Sequence, residues 1–349
     1  MKYLCIDVGG TYTKYAVMDE ECNFYLKDKV PTVYDTLEHF VEMLEEIYRK
    51  NLKFCREQAE LCIDETETPG NDKGDLAGIA LSSAGVIDSE TGFMYNGGSL
   101  TCISNINIVE ILEKRCGVPV TVENDAKCAA LAELWRGALA GCRNAAAVIC
   151  GTAVGGAVIC NGEVVRGKRF MAGEFSYLLT ESSDPMNPEW TFAQTGGVPG
   201  LIRMVAEKKQ IPEEELDGEK VFSMANCGDE EAIGCIRRYA CRIAMQINNC
   251  QYIFDPDRIA VGGGISAQPL FIQMIKEELI KLNGIYPYVM PIPEVVACQF
   301  FNDSNLIGAL YVHLKSREEK ISLEKVEELM GLVRDRREGR YLREMLMGR

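Results

Sequence analysis

Two short apolar runs open the chain, separated by a small polar turn. Residues 2–8 (KYLCIDV) and 14–19 (KYAVMD) read as strands on either side of Gly9-Gly10-Thr11. From Leu37, apolar side chains recur at Phe40, Val41, Leu44, Ile47 and Tyr48, the spacing of a helix with one buried face. Residues 55–76 are polar, carry a turn at Pro69-Gly70-Asn71, and are expected to form a mobile surface excursion. A buried strand is predicted at 78–83, then a helix over 107–116 capped by Asn107 and ended by Gly117. The strand 120–123 runs straight into a helix near 126–140. Two further apolar strands, 145–150 and 154–160, flank Gly151-Thr152. A long helix over 229–250 places Ile233, Ile236, Tyr239, Ala240, Ile243 and Ile247 on one face. A strand at 258–261, a Gly262-Gly263-Gly264 turn and a helix opening at Pro269 follow. The tail 316–349, rich in Glu and Arg, is predicted to be helical, with a solvated or interface role.

Strands alternating with helices make the class α/β. The motif Asp7-Val8-Gly9-Gly10-Thr11 is echoed by Cys150-Gly151-Thr152-Ala153-Val154-Gly155-Gly156. Each places a Gly/Thr turn between two apolar strands, which predicts two similar domains facing one another across a cleft.

Composition narrows the function classes. The 349 residues carry 37 Lys and Arg against 52 Asp and Glu, a net charge of −15. Phosphate backbones are bound by clustered Lys and Arg, so nucleic acid is not an expected partner. An anionic substrate would instead need backbone N–H groups, a metal ion, or both. There are 15 cysteines but no C-x2-C pair, and only two histidines, His39 and His313, so the short zinc-site patterns are absent. The opening MKYLCIDVGG has no export signal, and the longest uncharged stretch, 144–161, is shorter than a membrane span of roughly 20 residues. A cytoplasmic protein with reduced thiols and no membrane contact is expected.

The two Gly/Thr turns could receive successive phosphates of a nucleotide, since glycine lets backbone N–H groups approach an anion and Thr11 and Thr152 add hydroxyls. A tight turn with no ligand fits the same residues. Asp7 ends its strand beside the first turn, where a carboxylate can bind Mg²⁺ directly or through water. No GxxxxGK[ST] motif is present. Lys14 reads as a solvated strand charge or a partner for the terminal phosphate. In Val122-Glu123-Asn124-Asp125-Ala126 a strand meets a helix at an Asn-Asp pair. Helix capping explains such a pair. Equally, strand-to-helix junctions at the carboxyl edge of a sheet bind ligands. There Asp125 could take a proton from a substrate hydroxyl that Asn124 fixes. Glu174, after Gly173, offers two acceptors to a polyhydroxylated ligand or is a surface carboxylate. The Gly262–Gly264 turn lacks the G-x-G-x-x-G spacing of a dinucleotide site.

Taken in order, these blocks resemble the ROK family of bacterial sugar kinases and related regulators. Asp7–Thr11, Ala84-Gly85-Val86-Ile87-Asp88, Glu123–Ala126 followed by Ala129–Glu133, Gly151–Gly156, Asn161-Gly162, Ala172-Gly173-Glu174, Asp255-Pro256 and Gly262–Gly264 carry the resemblance across roughly residues 3–315. It implies two actin-like, ribonuclease-H-like domains with ATP and sugar between them. The first lobe would hold residues 1–120 and a returning helix from 305–349, the second residues 121–304. The activity implied is glucokinase-like or N-acetylhexosamine-kinase-like transfer from ATP to a hexose or amino-sugar hydroxyl, by a homodimer. The resemblance puts Asp125 on the catalytic base, and Asn124, Glu174 and Ser99 on the sugar. It puts Asp7, Gly9, Gly10, Thr11, Gly151 and Thr152 on Mg²⁺ and phosphate, and Gly263 and Gly264 on adenosine. The chain opens directly on its first strand, which favours a kinase over a DNA-binding regulator.

The departures concern the sugar side. Tyr177 stands where many members have a histidine, and no cysteine lies between Ser182 and Gly197, so no zinc cluster is expected. Trp190, beside Glu189, stands near a usual sugar-binding glutamate, and Ser99 near a usual asparagine, with Asn96 three residues earlier. A sugar or nucleotide sensor that keeps the fold without turnover is the alternative.

Overall fold

The structure, a computed structural model, describes residues 1–61 and 74–334, apart from the side chains of 324 and 326–334. In chain order, β1 (Lys2–Val8), β2 (Tyr12–Asp19) and β3 (Phe24–Pro31) lead into α1 (Leu37–Leu61). Then come β4 (Leu76–Ser83), β5 (Val86–Asp88), β6 (Phe93–Asn96), β7 (Ile106–Asn107), α2 (Ile108–Cys116), β8 (Val120–Asn124) and α3 (Asp125–Arg136). The next stretch holds β9 (Ala145–Cys150), β10 (Val154–Cys160), β11 (Glu163–Val164), α4 (Phe192–Gly196), α5 (Val198–Lys209), α6 (Gly218–Asn226) and α7 (Glu230–Phe254). The chain continues through β12 (Arg258–Gly262), α8 (Pro269–Asn283), β13 (Glu294–Ala297) and α9 (Ser304–Arg334).

Two five-stranded sheets share one plan. The first has the order β3-β2-β1-β4-β8 and the second β11-β10-β9-β12-β13. In both, the leading strand pairs antiparallel with its hairpin partner and parallel with the strand on its other side. The echo of the Gly/Thr turns is therefore the repeat of a whole sheet. β5, β6 and β7 form a small separate sheet.

Successive side chains of a strand point to opposite faces, and β1 feeds two cores in this way. Leu4, Ile6 and Val8 pack with Phe40, Val41 and Leu44 of α1 and Leu112 of α2. Tyr3 and Cys5 pack with Cys128 and Ala132 of α3 and with Leu306, Ala309 and Leu310 of α9. α3 turns its other flank, Ala130 and Leu131, to Ala145 and Ala147 of the second sheet. Its small residues let α3 lie between both sheets and close to α9. A Cβ on Gly308 of α9 would fall 1.8 Å from the Cys128 carbonyl oxygen, so this crossing requires glycine. α3 thus starts where the two sheets meet.

Several expectations change. The strand at 120–124, assigned above to the second lobe, pairs with β4 in the first sheet, so the boundary at residue 120 cuts one element too early. β3 was not expected. α1 runs on to Leu61, through part of the polar stretch, and the Pro69-Gly70-Asn71 turn lies outside the described residues. α3 stops at Arg136 rather than near 140, capped by Gly137. The predicted caps Asn107 and Gly117 bound α2, and Pro269 opens α8. The tail begins inside α9, which packs back on β1, β4 and β8. Among the described residues, no helix is long and apolar enough to cross a membrane.

Candidate active site

The start of α3 is built by Asn124 and Asp125. Asn124 leaves β8 in an extended conformation, and its Oδ1 accepts the Lys127 N–H at 3.1 Å. Its Nδ2 donates to the Gly85 carbonyl at 3.1 Å. The capping role is therefore real, and one amide N–H remains for a hydroxyl. Asp125 is partly buried, and its Oδ1 accepts the Ala126 N–H at 2.8 Å, leaving Oδ2 without a partner among the described residues. Burial pushes its carboxyl up to about 6, and the charges of Asp7 and Glu174 add to this, against the Ala126 N–H and Lys127.

Asp7 faces it from the end of β1. Asp7 Oδ1 accepts from Ser82 Oγ at 3.0 Å and from Asn305 Nδ2 at 2.9 Å. Lys14 Nζ stands 3.8 Å from its Oδ2. Burial raises the Asp7 carboxyl, while Asn305, Lys14 and Ser82 pull it down. One oxygen is thus fixed, and the other, beside Lys14, accepts no hydrogen bond among the described residues. That donor suits Mg²⁺, which keeps several waters and takes few protein ligands. Among the described residues, no three His, Cys, Asp or Glu side chains gather as a metal cage.

In the first turn, Gly9 N–H donates to the Tyr12 carbonyl at 3.2 Å, and a Cβ there would sit 2.9 Å from that oxygen. Gly9 is thus needed by the turn itself. Gly10 and Thr11 are exposed, and their N–H groups donate to nothing among the described residues. Ser99, expected on the sugar wall, lies against this turn: a Cβ on Gly10 would be 3.6 Å from Ser99 Oγ.

The second turn packs on the same helix end. A Cβ on Gly155 would lie 2.7 Å from the Cβ of Ala126. Gly151 N–H donates to the Ala153 carbonyl at 2.9 Å, its own carbonyl accepts from Val198 N–H at 2.8 Å, and Thr152 is exposed with a free N–H among the described residues. Gly263, at φ 90°, closes onto this hairpin, since a Cβ there would fall 1.9 Å from the Cys150 carbonyl oxygen. Gly264 is exposed, with open space where a side chain would be. These open backbone cradles suit phosphate and nucleotide.

Glu174 approaches from the loop after β11. Its Oε1 accepts from Lys127 Nζ at 3.0 Å. The fully buried Glu123 accepts Arg166 Nε at 3.1 Å and Nη2 at 2.8 Å, and Arg166 Nε also reaches Ser89 Oγ at 2.8 Å. Glu189 does not serve this pocket with a free carboxylate, because it pairs with Arg203 at 2.8 Å on the surface. Tyr177 is 64% exposed, and the Trp190 carbonyl accepts both N–H and Oγ1 of Thr180.

Three contributors escaped the sequence reading, Lys127, Ser82 and Asn305; Lys14, expected as a solvated strand charge or a phosphate partner, stands beside Asp7. Lys14 had a signal, because the hairpin register sets it directly opposite Asp7.

The ROK family model matches residues 3–316. A beta-glucoside kinase from Listeria monocytogenes is 31% identical over 316 residues, covering 90% of this chain and 98% of its own. A solved ROK family protein from Streptococcus pneumoniae, in complex with sucrose, aligns over 92% of this chain and all of its own, with a TM-score of 0.74 and 30% identity. A ROK family glucokinase from Streptomyces griseus, in complex with glucose and AMPPNP, covers 89% of this chain and 99% of its own at TM-score 0.73; at 22% identity it speaks for the fold. The two sheets are the two domains of this actin-like architecture.

Proposed function

Because the chain belongs to the ROK family and is an ATP-dependent sugar kinase, we propose that Asp125 is the general base of its phosphoryl transfer to a hexose or amino-sugar hydroxyl. The observation that carries this reading is Asp125 at the start of α3, its carboxyl raised by burial and by the charges of Asp7 and Glu174, beside two exposed Gly/Thr turns. The acceptor oxygen bonds to the terminal phosphorus as the bond to ADP breaks, and the proton passes to Asp125 Oδ2. A carboxyl raised to about 6 stays mostly ionised at neutral pH and lies nearer the working pH than an ordinary carboxylate.

The N–H groups of Gly10, Thr11 and Thr152, with both threonine hydroxyls, receive phosphate oxygens, and the Gly263-Gly264 turn lies along the adenosine side. Asp7 would hold Mg²⁺ through Oδ2 or a water, and the ion when bound neutralises phosphate charge. Lys14, beside Asp7, adds a second cation there. Glu174 Oε2, the spare Asn124 N–H and Ser99 orient sugar hydroxyls. Among acceptors, β-glucosides come first, because the Listeria relative of nearly equal span carries that name.

The test is a coupled ADP-release assay with ATP and Mg²⁺ over β-glucosides, hexoses and N-acetylhexosamines. Sugar-dependent ADP release is expected. Sugar-induced thermal stabilisation with no ADP release across the panel would instead mark a sensor.

A further inference from the structure

We infer that Lys127 is a positioning residue for the sugar, which aims the Glu174 carboxylate and pins the loop that carries it. Lys127 lies in the first turn of α3 and is 2% exposed, and lysine is almost never buried this far unless paired. Its Nζ donates to Glu174 Oε1 at 3.0 Å and to the Phe170 carbonyl at 3.3 Å. Both acceptors belong to one loop, more than 40 residues along the chain, so a single ammonium ties the catalytic helix to the sugar-side loop.

The loop needs such a tie. Phe170 holds φ 59°, a left-handed conformation unfavourable for a bulky side chain. Its ring stacks on Tyr95 of β6 at 5.8 Å, across from the other sheet system. Gly173, at φ 80°, presses the loop onto β10, where a Cβ would meet Ala157 Cα at 3.0 Å. The glycine therefore sets where Glu174 sits, and Lys127 sets where its carboxylate points. With Oε1 held by Lys127, Oε2 is the oxygen with no partner among the described residues, and it faces a hydroxyl from a fixed direction. Lys127 also offsets the charge of Asp125 and Glu174, as Lys14 does that of Asp7.

This inference rests on Glu174 as a sugar contact. A double-mutant cycle separates the two claims, using wild type, Lys127→Met, Glu174→Met and the double variant. Sugar affinity is read twice, as KM in ADP release and as the sugar-dependent shift in melting temperature. Glu174→Met and Lys127→Met should each raise sugar KM by about tenfold or more, with ATP KM within about twofold. In the Glu174→Met background, adding Lys127→Met should change sugar KM by less than about twofold. The double variant should melt above Lys127→Met, because the half-buried Glu174 carboxylate is no longer left without its cation. Should Lys127→Met not fold, Lys127→Arg replaces it in the same cycle, raising sugar KM only where Glu174 is present. An equal rise in both backgrounds, or no rise beside a large one for Glu174→Met, overturns the positioning role. An unchanged KM in Glu174→Met removes the sugar contact itself, and the inference with it.

Discussion

At the mouth of the first sheet, Asp7 of β1 stands beside Ser82 of β4; at the equivalent places of the second sheet stand Ile149 of β9 and Gly262 of β12. The strand plan is the same and the chemistry is not. The first half ends its strands in a carboxylate held by Ser82 and Asn305, with Lys14 opposite. The second half ends in apolar side chains and backbone, with Gly263 folded onto the Cys150 carbonyl and burial pushing the Cys150 thiol up to about 12. One lobe thus offers charged groups for a cation and a reacting phosphoryl group. The other offers a neutral cradle of N–H groups, which suits phosphate and adds no side chain that could compete for the proton. α3, packed against both sheets, carries Asp125 to the seam between these two environments.

Substitutions at matched positions can break this contrast. Asp7→Asn should lower kcat by about 10²–10³, because the charged end of the first sheet is lost. Ile149→Val, at the matching place, should keep kcat within about twofold and cost less than about 1.5 kcal/mol in denaturant unfolding. Equal losses in the two variants would mean that the halves are not chemically distinct. Gly263→Ala should destabilise by about 1–3 kcal/mol and weaken ATP binding, since the backbone there is left-handed and has no room for a methyl group. Thermal melts with and without an ATP analogue read both effects. Thr152→Val should raise ATP KM by about 2- to 12-fold, the equivalent of one hydrogen bond, and leave sugar KM unchanged. At the smallest end, iodoacetamide at pH 8 should leave Cys150 unlabelled in the native protein, with or without ATP. Labelling there would mean that the second hairpin opens to solvent.

Local pattern carried much of the fold. The hairpins, the caps Asn107 and Gly117, and the long amphipathic α7 follow from spacing and cap chemistry that a single stretch of chain contains. β3 escaped because no alternation marks it: as an edge strand it is exposed along nearly its whole length, and its ladder with β2 defines it. β5 to β7 are too short for any period to show. At the site, Asp125 and the glycine turns were legible because turns and helix starts have strict residue demands. Lys127 was not, because a lysine in the first turn of a helix looks solvated until Glu174 and Phe170 arrive from a distant loop. Asn305 likewise comes to Asp7 from the far end of the chain. Ser99, expected on the sugar, has its hydroxyl 3.6 Å from where a Cβ on Gly10 would lie, beside the first turn.

The raised carboxyl of Asp125 has two consequences of opposite sign. For catalysis, kcat/KM should fall as pH drops through about 6, as the base takes up its proton. For stability, the folded state holds that proton more tightly than the unfolded chain. The ionised carboxylate therefore costs up to about 3 kcal/mol above pH 6, a penalty that vanishes as pH falls below about 4.

Asp125→Asn tests both in one protein, by ADP release beside melting curves at pH 7.5 and pH 4, with and without sugar and an ATP analogue. Turnover should fall by about 10²–10⁴ with both ligands still bound, and melting temperature should rise at pH 7.5 but not at pH 4. Turnover close to wild type in that variant would contradict the account.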